Sequence, residues 1–240
     1  MKILVVNDDS ISAPGIALLA QAAAEFADVW VSAPAEQCSA LSQKLTLREP
    51  ITLEAVPDFP APVRAAWKVG GTPVDCVKVA LDRLLEEKPD WVFSGINNGY
   101  NAGYDIAYSA TLGAAFEAVR NGIPAAAFSI AGDSHLPFAG DHLRSVIGEL
   151  LKKQPAPGEV WNINFPPMKG GGTKGILRDR SVAPCSMYRE TYIETLLEDG
   201  RKALLCKGIP TPDAQIPEGT DAAAVRKGYI SVGKVRCGVM

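Results

Sequence analysis

Apolar residues run unbroken from Ile3 to Val6 and stop at Asn7, Asp8, Asp9 and Ser10. A short continuous apolar run closed by polar residues reads as a strand buried on both faces, the pattern of a parallel sheet. Beyond it Ile16, Leu19, Ala23 and Phe26 recur at helical spacing, with Pro14 in the first turn and Ser12 placed to cap. Asp28 to Ala33 predicts a second strand, and Pro34 begins a polar loop, AEQCSALSQKLTL. The segment from Arg48 to Trp67 carries four prolines among short β-prone pieces, which predicts an edge hairpin or excursion. Gly70 and Gly71 then lead into a helix in which Thr72 and Asp75 have capping-box spacing and Val74, Val77, Leu81 and Leu84 form a stripe. Trp91 to Ser94 predicts a strand, Thr111 to Asn121 a helix stopped by Gly122, and Ala125 to Ile130 another buried strand. Asp141 can start a helix with Leu143, Val146, Ile147 and Leu150 inward, and Val160 to Phe165 is strand-like; there the alternation ends.

The tail has a different pattern. MYRETYIET and LEDGRKALLCKG predict two strands joined at Asp199-Gly200, a strong hairpin signal. A proline-rich stretch, a short helix capped by Thr220 and a final strand at Tyr229 to Val232 follow. The fold class is therefore α/β, a mostly parallel sheet with helices on both faces and a C-terminal β-hairpin. Residues 1–240 are expected to form a single α/β domain, with 186–208 as a hairpin arm. Its edges can pair with another subunit or fold back on their own domain.

Composition narrows the function. In 240 residues the formal net charge is −3, which argues against a general nucleic-acid surface. Cys38, Cys76, Cys185, Cys206 and Cys237 are odd in number, widely spaced and without a CxxC pair, so neither a disulfide framework nor a zinc knuckle is indicated. With no N-terminal basic-plus-apolar signal and no apolar stretch long enough to span a bilayer, the expected location is the cytoplasm, with no membrane partner.

The candidate chemistry lies at the strand ends, since in open α/β sheets ligands bind in the crevice beyond the carboxyl ends of the strands. Asp8 and Asp9 are adjacent like charges, and a divalent cation with oxygen ligands, Mg²⁺ or Mn²⁺, is the simplest remedy. The alternative is that one of them caps the next helix. Ser39 and Ser42 lie in the loop after the second strand, where either can be an ordinary loop serine. The third stretch, GINNGYNAGYDIAYSAT, lets backbone amides approach a ligand closely and runs into a helix start at Ser109, Ala110 and Thr111. A helix N-terminus attracts phosphate, although a glycine-rich turn with a plain Ser/Thr cap reads the same way, and no Walker loop is present. His135 and His142 stand outside these motifs, so no histidine-based triad is expected. Two carboxylates for a cation, a serine hydroxyl, an asparagine carbonyl and a phosphate-attracting helix start make phosphomonoester hydrolysis the economical hypothesis.

NDDS at 7–10, S-x-x-S at 39–42 followed by LTL, GGTPVDCVKVAL at 70–81, SGINNGYNAG at 94–103, YSAT at 108–111 and DAAAVRKGYIS at 221–231 resemble one family along nearly the whole chain. It is the stationary-phase survival protein SurE, a group of metal-dependent 5′/3′-nucleotidases. The resemblance implies a Rossmann-like sheet, a C-terminal arm exchanged in homodimers or homotetramers, and hydrolysis of nucleoside 5′- and 3′-monophosphates by a metal-activated water. It also implies that one divalent ion is held by Asp8, Asp9, Ser39 and Asn97, with Asp8 and Asp9 catalytic. The phosphate would be met by Ser39, Asn97, Ser109, Ala110 and Thr111. The chain departs from the family where it has Ser109-Ala110-Thr111 and the family usually has SGT. If that position needs a positive φ or a close backbone approach, alanine strains the loop and Ala110→Gly would raise activity. A response-regulator receiver domain shares the opening ILVVNDDS, but no lysine occurs between Lys88 and Lys152 to serve as its conserved one. A zinc deacylase of the LmbE-like type would need a histidine where Asn7 stands. A non-catalytic nucleotide- or phosphate-binding protein on the same fold is the remaining alternative.

Overall fold

β1 (Lys2–Val6) runs through the middle of the structure, a computed structural model describing residues 1–132, 136–167 and 172–238. Its side chains alternate between two cores, Ile3 and Val5 facing one way and Leu4 and Val6 the other, so the unbroken apolar run reflects burial on both faces. It pairs in parallel with β2 (Asp28–Pro34) on one side and β5 (Trp91–Asn98) on the other. Outward from β2 lie β4 (Ala65–Val69), parallel to it, and the short antiparallel edge β3 (Leu53–Ala55), which is the predicted excursion. Outward from β5 lie β6 (Ala125–Ile130) and β7 (Glu159–Phe165), both parallel, then β11 (Ile230–Arg236), antiparallel to β7, and β8 (Ile176–Arg180) at the far edge. The sheet of nine strands is thus ordered β3-β4-β2-β1-β5-β6-β7-β11-β8.

The helices cover both faces. On one, α1 (Pro14–Ala23) packs beside α4 (Gly140–Leu150) over Ile3, Val5, Phe93 and Phe128. On the other, α2 (Pro73–Val79), continued by a wider turn over Ala80–Leu84, packs beside α3 (Ala110–Arg120) over Leu4, Val6 and Val92. Because β1 leads through α1 to β2 while β5 flanks it on the other side, the order reverses between β1 and β5. That reversal opens a crevice at the carboxyl ends of these two strands.

Local chemistry places several elements where the sequence predicts them. Thr72 Oγ1 accepts the Asp75 N–H at 3.2 Å and the Asp75 carboxylate accepts the Thr72 N–H at 2.8 Å, a complete capping box for α2. The same pair anchors the irregular loop after β2, since Thr72 donates to Lys44 O at 2.6 Å and Thr46 donates its N–H and hydroxyl to Asp75 at 3.1 and 2.7 Å. Thr220 caps α5 (Asp221–Arg226) as expected.

Other boundaries differ. Ser12 does not cap α1; Ala13 is the capping residue, without a side-chain bond, and the Ser12 hydroxyl lies 3.1 Å from that of Ser10. Phe26 falls beyond the end of α1 and is half exposed, because the chain has already turned toward β2. β5 passes its predicted end at Ser94 and continues to Asn98 through Gly95, whose φ is +134° and where a Cβ would lie 2.2 Å from Phe128 O. β8 escaped the periodicity, since an edge strand reading ILRDR has no apolar alternation to detect. The helix at Asp141 begins one residue earlier, at Gly140.

β9 (Tyr188–Leu196) and β10 (Lys202–Pro210) form the hairpin, paired from Tyr188 with Pro210 to Leu196 with Lys202 and turned at Gly200, where φ is +80°. It is a sheet of its own. Tyr192, Leu196, Leu204 and Leu205 are each more than 60% exposed along it. Its root is fixed to the main body, where Met187 N–H donates to Asp105 at 2.9 Å and Ser186 bridges to Gly103. No helix among the described residues is long and apolar enough to cross a membrane.

Candidate active site

The turn after β1 is shaped by its own side chains. Asn7, fully buried, donates from Nδ2 to Ser10 O at 2.7 Å, and Ser10 adopts a φ of 95° so that its carbonyl also accepts the Ala13 N–H at 3.1 Å. Ile11 N–H bonds Pro34 O at 2.9 Å and Cys38 N–H bonds Asp8 O at 2.7 Å, which ties this turn to the end of β2 and to the loop carrying Ser39. The two acids are used differently. Asp8 faces α3, and its Oδ1 accepts the Thr111 hydroxyl at 2.8 Å. Asp9 faces the end of β5, and its Oδ2 accepts the Asn98 N–H at 2.9 Å. Neither caps α1.

Behind Thr111 lies a buried polar network. Asn101 Nδ2 approaches Thr111 Oγ1 at 3.3 Å and Ser129 Oγ at 2.7 Å; being a donor, it leaves the threonine hydrogen for Asp8. Asn101 is held in turn by its N–H on Asn164 Oδ1 at 2.9 Å and its carbonyl under Asn162 and Asn164 amides at 2.8 and 3.0 Å. Asp221 closes the loop from the other end, accepting Gly103 N–H at 3.1 Å and Ala183 N–H at 2.9 Å, with a carboxyl raised above its ordinary range by burial. Sequence reading singled out none of Asn101, Asn162, Asn164 or Asp221. The available signal was Asn162 and Asn164 two apart in an otherwise apolar strand, which sets both on one face.

Of the predicted residues, Asp8, Asp9 and Thr111 converge on the crevice. Ser39 is exposed, one residue beyond the Cys38 bond to Asp8. Asn97 is half-buried at the end of β5, its Nδ2 on Gly99 O at 2.9 Å, so that its Oδ1 is turned from that bond. The start of α3 departs from expectation. Ser109 Oγ caps α3 by accepting the Leu112 N–H at 3.1 Å, which leaves its own hydrogen to donate, Thr111 gives its hydroxyl hydrogen to Asp8, and Ala110 and Thr111 are wholly buried. Their burial comes with Ser42, which bonds Tyr108 O and Ala107 O at 3.1 and 2.9 Å and whose carbonyl would stand 2.1 Å from a Cβ on Gly113. Ala110 itself is an ordinary first helical residue, not a positive-φ position, so the strain that a family glycine suggested is absent. His142 lies within α4, and His135 lies outside the described residues.

Electrostatically, Asp8 is the exceptional group. Burial, and the charge of Asp9, push its carboxyl up to about 7 against the opposing Thr111 hydrogen bond. Among the described residues no three of His, Cys, Asp and Glu come together. A cation here would therefore take two carboxylates and neutral oxygens, a hard donor set suited to Mg²⁺ or Mn²⁺. Asn7 Oδ1, buried in the same turn, has no hydrogen-bond partner among the described residues.

The chain matches the family profile described as Survival protein SurE over residues 3–192. It is similar to the 5′-nucleotidase SurE of Moorella thermoacetica, with 37% identity over 237 residues, 97% of this chain and 88% of that one. The 5′-nucleotidase SurE of Nostoc sp. is also 37% identical, over 243 residues covering 97% of this chain and 91% of the relative. The crystal structure of the SurE protein from Aquifex aeolicus superposes with a TM-score of 0.82 at 30% identity, covering 98% of this chain and 93% of that one.

Two outcomes follow from the geometry. Ala110→Gly removes a buried methyl from a helical position and should lower stability by roughly 1–2 kcal/mol in urea titrations, with no gain in kcat/KM. In the metal-free protein the Asp8 carboxyl keeps its proton to about pH 7, whereas in the unfolded chain it loses it near 4. The folded state thus binds the extra proton between these values, and stability falls as pH rises across that window, by up to about 4 kcal/mol. Asp8→Asn should remove that part of the slope and make the EDTA-treated protein more stable than wild type at pH 8.

Proposed function

The chain belongs to the survival protein SurE family, and from that premise we propose that it is a 5′-nucleotidase, hydrolysing nucleoside 5′-monophosphates, and 3′-monophosphates as well, to nucleoside and phosphate. The observation that carries the reading is the carboxylate pair at the β1–β5 crevice, with Asp8 buried at 3% exposure beside Asp9. Two adjacent carboxylates, one buried and the other half-buried, are a standing electrostatic cost unless a cation shares them. Asp8, Asp9, Asn97 through Oδ1 and Ser39 through its hydroxyl are the residues that would hold one divalent ion. Such an ion supplies positive charge to phosphate oxygens and acidifies water as a nucleophile.

The rest of the work falls to the chain. The Asn101–Thr111 relay fixes the rotamer of Asp8 and favours its ionised form, and the Asn98 N–H does the same for Asp9. Ser39, exposed beside the Asp8 turn, and Asn97, whose Oδ1 is turned from its own hydrogen bond, would meet the phosphate. Ser109, Ala110 and Thr111 act from behind, building the helix end whose dipole favours an anion nearby. No general base is assigned, because a carboxylate shared with a cation has little basicity.

The hairpin supports the oligomeric part of the reading. A two-stranded sheet with two free edges and large apolar side chains in water is marginal alone, and a second copy of the chain would cover both. We read β9–β10 as the arm of a homodimer or homotetramer. The five free cysteines, the exposed Cys206 among them, suit a reducing cytoplasm.

Phosphate release from nucleoside monophosphates should be measurable with Mg²⁺ or Mn²⁺ and abolished by EDTA. Asp9→Asn should retain the wild-type circular dichroism and lose at least 10²-fold in kcat, about 2.7 kcal/mol of transition-state stabilisation. Metal-independent binding of nucleotide without turnover would instead describe a binding protein. Replacing Tyr188 to Pro210 by a short linker should lower the mass seen by light scattering; a monomeric wild type would remove the arm from the assembly.

A further inference from the structure

The end of the sheet opposite the crevice carries a cavity of another kind. Toward the amino ends of β1, β2 and β4 a space of about 300 Å³ is walled by Trp30, Trp67, Leu84 and Pro89, with Glu86, Glu87 and Lys2 also lining it. The strand register explains the two indoles. Trp30 stands opposite Ala65 and Ser32 opposite Trp67, so the two rings leave the same face of adjacent parallel strands, the α2 face that Leu4 shares with Trp30. Both are only half-buried, since the wider turn that continues α2 over this face ends at Leu84. The outer wall is fixed by backbone. Leu85 N–H bonds Ala80 O at 3.0 Å, Lys2 N–H bonds the Asp90 carboxylate at 2.7 Å and Asp90 N–H bonds Lys2 O at 2.9 Å, so the segment from Leu85 to Asp90 is clamped at both ends.

We propose that this cavity binds a small organic ammonium ion, whose alkyl groups fill the apolar wall and whose charge lies against the two indoles and Glu86. The charge balance points to a cation. Lys2 is engaged by Glu87, and Lys88 turns away to Asn121 O at 3.4 Å, so neither ammonium answers Glu86. Glu86 is exposed and makes no ion pair or hydrogen bond among the described residues, and Asp90 adds a further negative charge beside Lys2. Aromatic faces attract cations through the ring quadrupole, and indole does so most strongly. Within this chain Trp161 already makes that contact, with Lys234 Nζ 5.5 Å from its ring centre, whereas among the described residues no cation stands over Trp30 or Trp67. A bare inorganic cation would leave the apolar wall unfilled, and a neutral apolar molecule would gain nothing from Glu86 or the ring quadrupoles. An alkylated ammonium ion uses both features, and a cavity with apolar walls and a few placed polar groups has the character of a small-molecule site. The cavity lies at the opposite end of β1 from Asp8 and Asp9, so the proposal does not depend on the nucleotidase reading.

The test separates charge from apolar contact. The full chain is titrated by calorimetry, at one ionic strength, with choline, with its neutral isostere 3,3-dimethyl-1-butanol and with ammonium chloride. Choline should bind saturably, at least ten-fold more tightly than either of the others, a difference of about 1.4 kcal/mol, and should change the tryptophan fluorescence. Glu86→Gln, made on an exposed side chain outside every hydrogen bond of the fold, should weaken choline at least three-fold. Trp67→Leu should weaken it at least ten-fold with the circular dichroism unchanged, whereas Glu198→Gln, an exposed acid beside the hairpin turn, should leave it within two-fold. Equal affinity for the alcohol would make this a plain apolar pocket and overturn the proposal. So would the absence of saturable choline binding, or an affinity indifferent to both Glu86→Gln and Trp67→Leu. Choline binding lost in Asp9→Asn and kept in Glu86→Gln would place the cation at the carboxylate pair and overturn it as well.

Discussion

A carboxylate withdrawn from water beside a second carboxylate sets the terms for everything around it. Asp8 is almost wholly buried and is pushed toward its neutral form by that burial and by Asp9. The surrounding structure answers with directed hydrogen bonds, and among the described residues no cationic side chain bonds either acid. Thr111 donates to Asp8, Asn101 fixes Thr111, and Asn162 and Asn164 fix Asn101. Each bond in such a chain is modest by itself, but in a low-dielectric interior an unpaired member would be costly, so the network holds one geometry. What remains unbalanced is charge, since none of these donors carries a positive one.

The sheet topology explains why these groups can meet. Strand order reverses between β1 and β5, so α1 and α3 leave on opposite faces and the loops between them do not compete for space. Consecutive residues at the end of β1 then point to opposite sides, which sends Asp8 to the α3 face and Asp9 toward the α1 face. One dipeptide thereby contributes to a polar, buried side and to an open, apolar-walled side.

The hairpin is tied to the same region. Its root is held through Asp105 and through the bridge from Ser186 to Gly103, the residue whose N–H is clamped by Asp221. At Gly103 a side chain is impossible, since a Cβ would lie 2.1 Å from Cys185 O. The hairpin root and the loop carrying Asn101, which supports Thr111 beside Asp8, are therefore tied together.

By itself the sequence determined the α/β class, the middle strand, the capping box at Thr72 and the cap at Thr220, the hairpin at Asp199-Gly200 and the acid pair. Each is written in contiguous residues, as a period, a cap spacing or a turn dipeptide. Tertiary structure alone decided what the polar groups do. That the Thr111 hydroxyl bonds Asp8, 103 positions earlier, is not written near either residue, and Ala110 reads as strained until its backbone proves helical. Asn101, Asn162 and Asn164 read as unremarkable because hydrogen-bond partners 61 and 63 positions apart leave no local pattern. Periodicity records which face of an element is buried, whereas a side chain's partner depends on which strands the sheet sets next to one another, and that ordering exists only once the chain has folded.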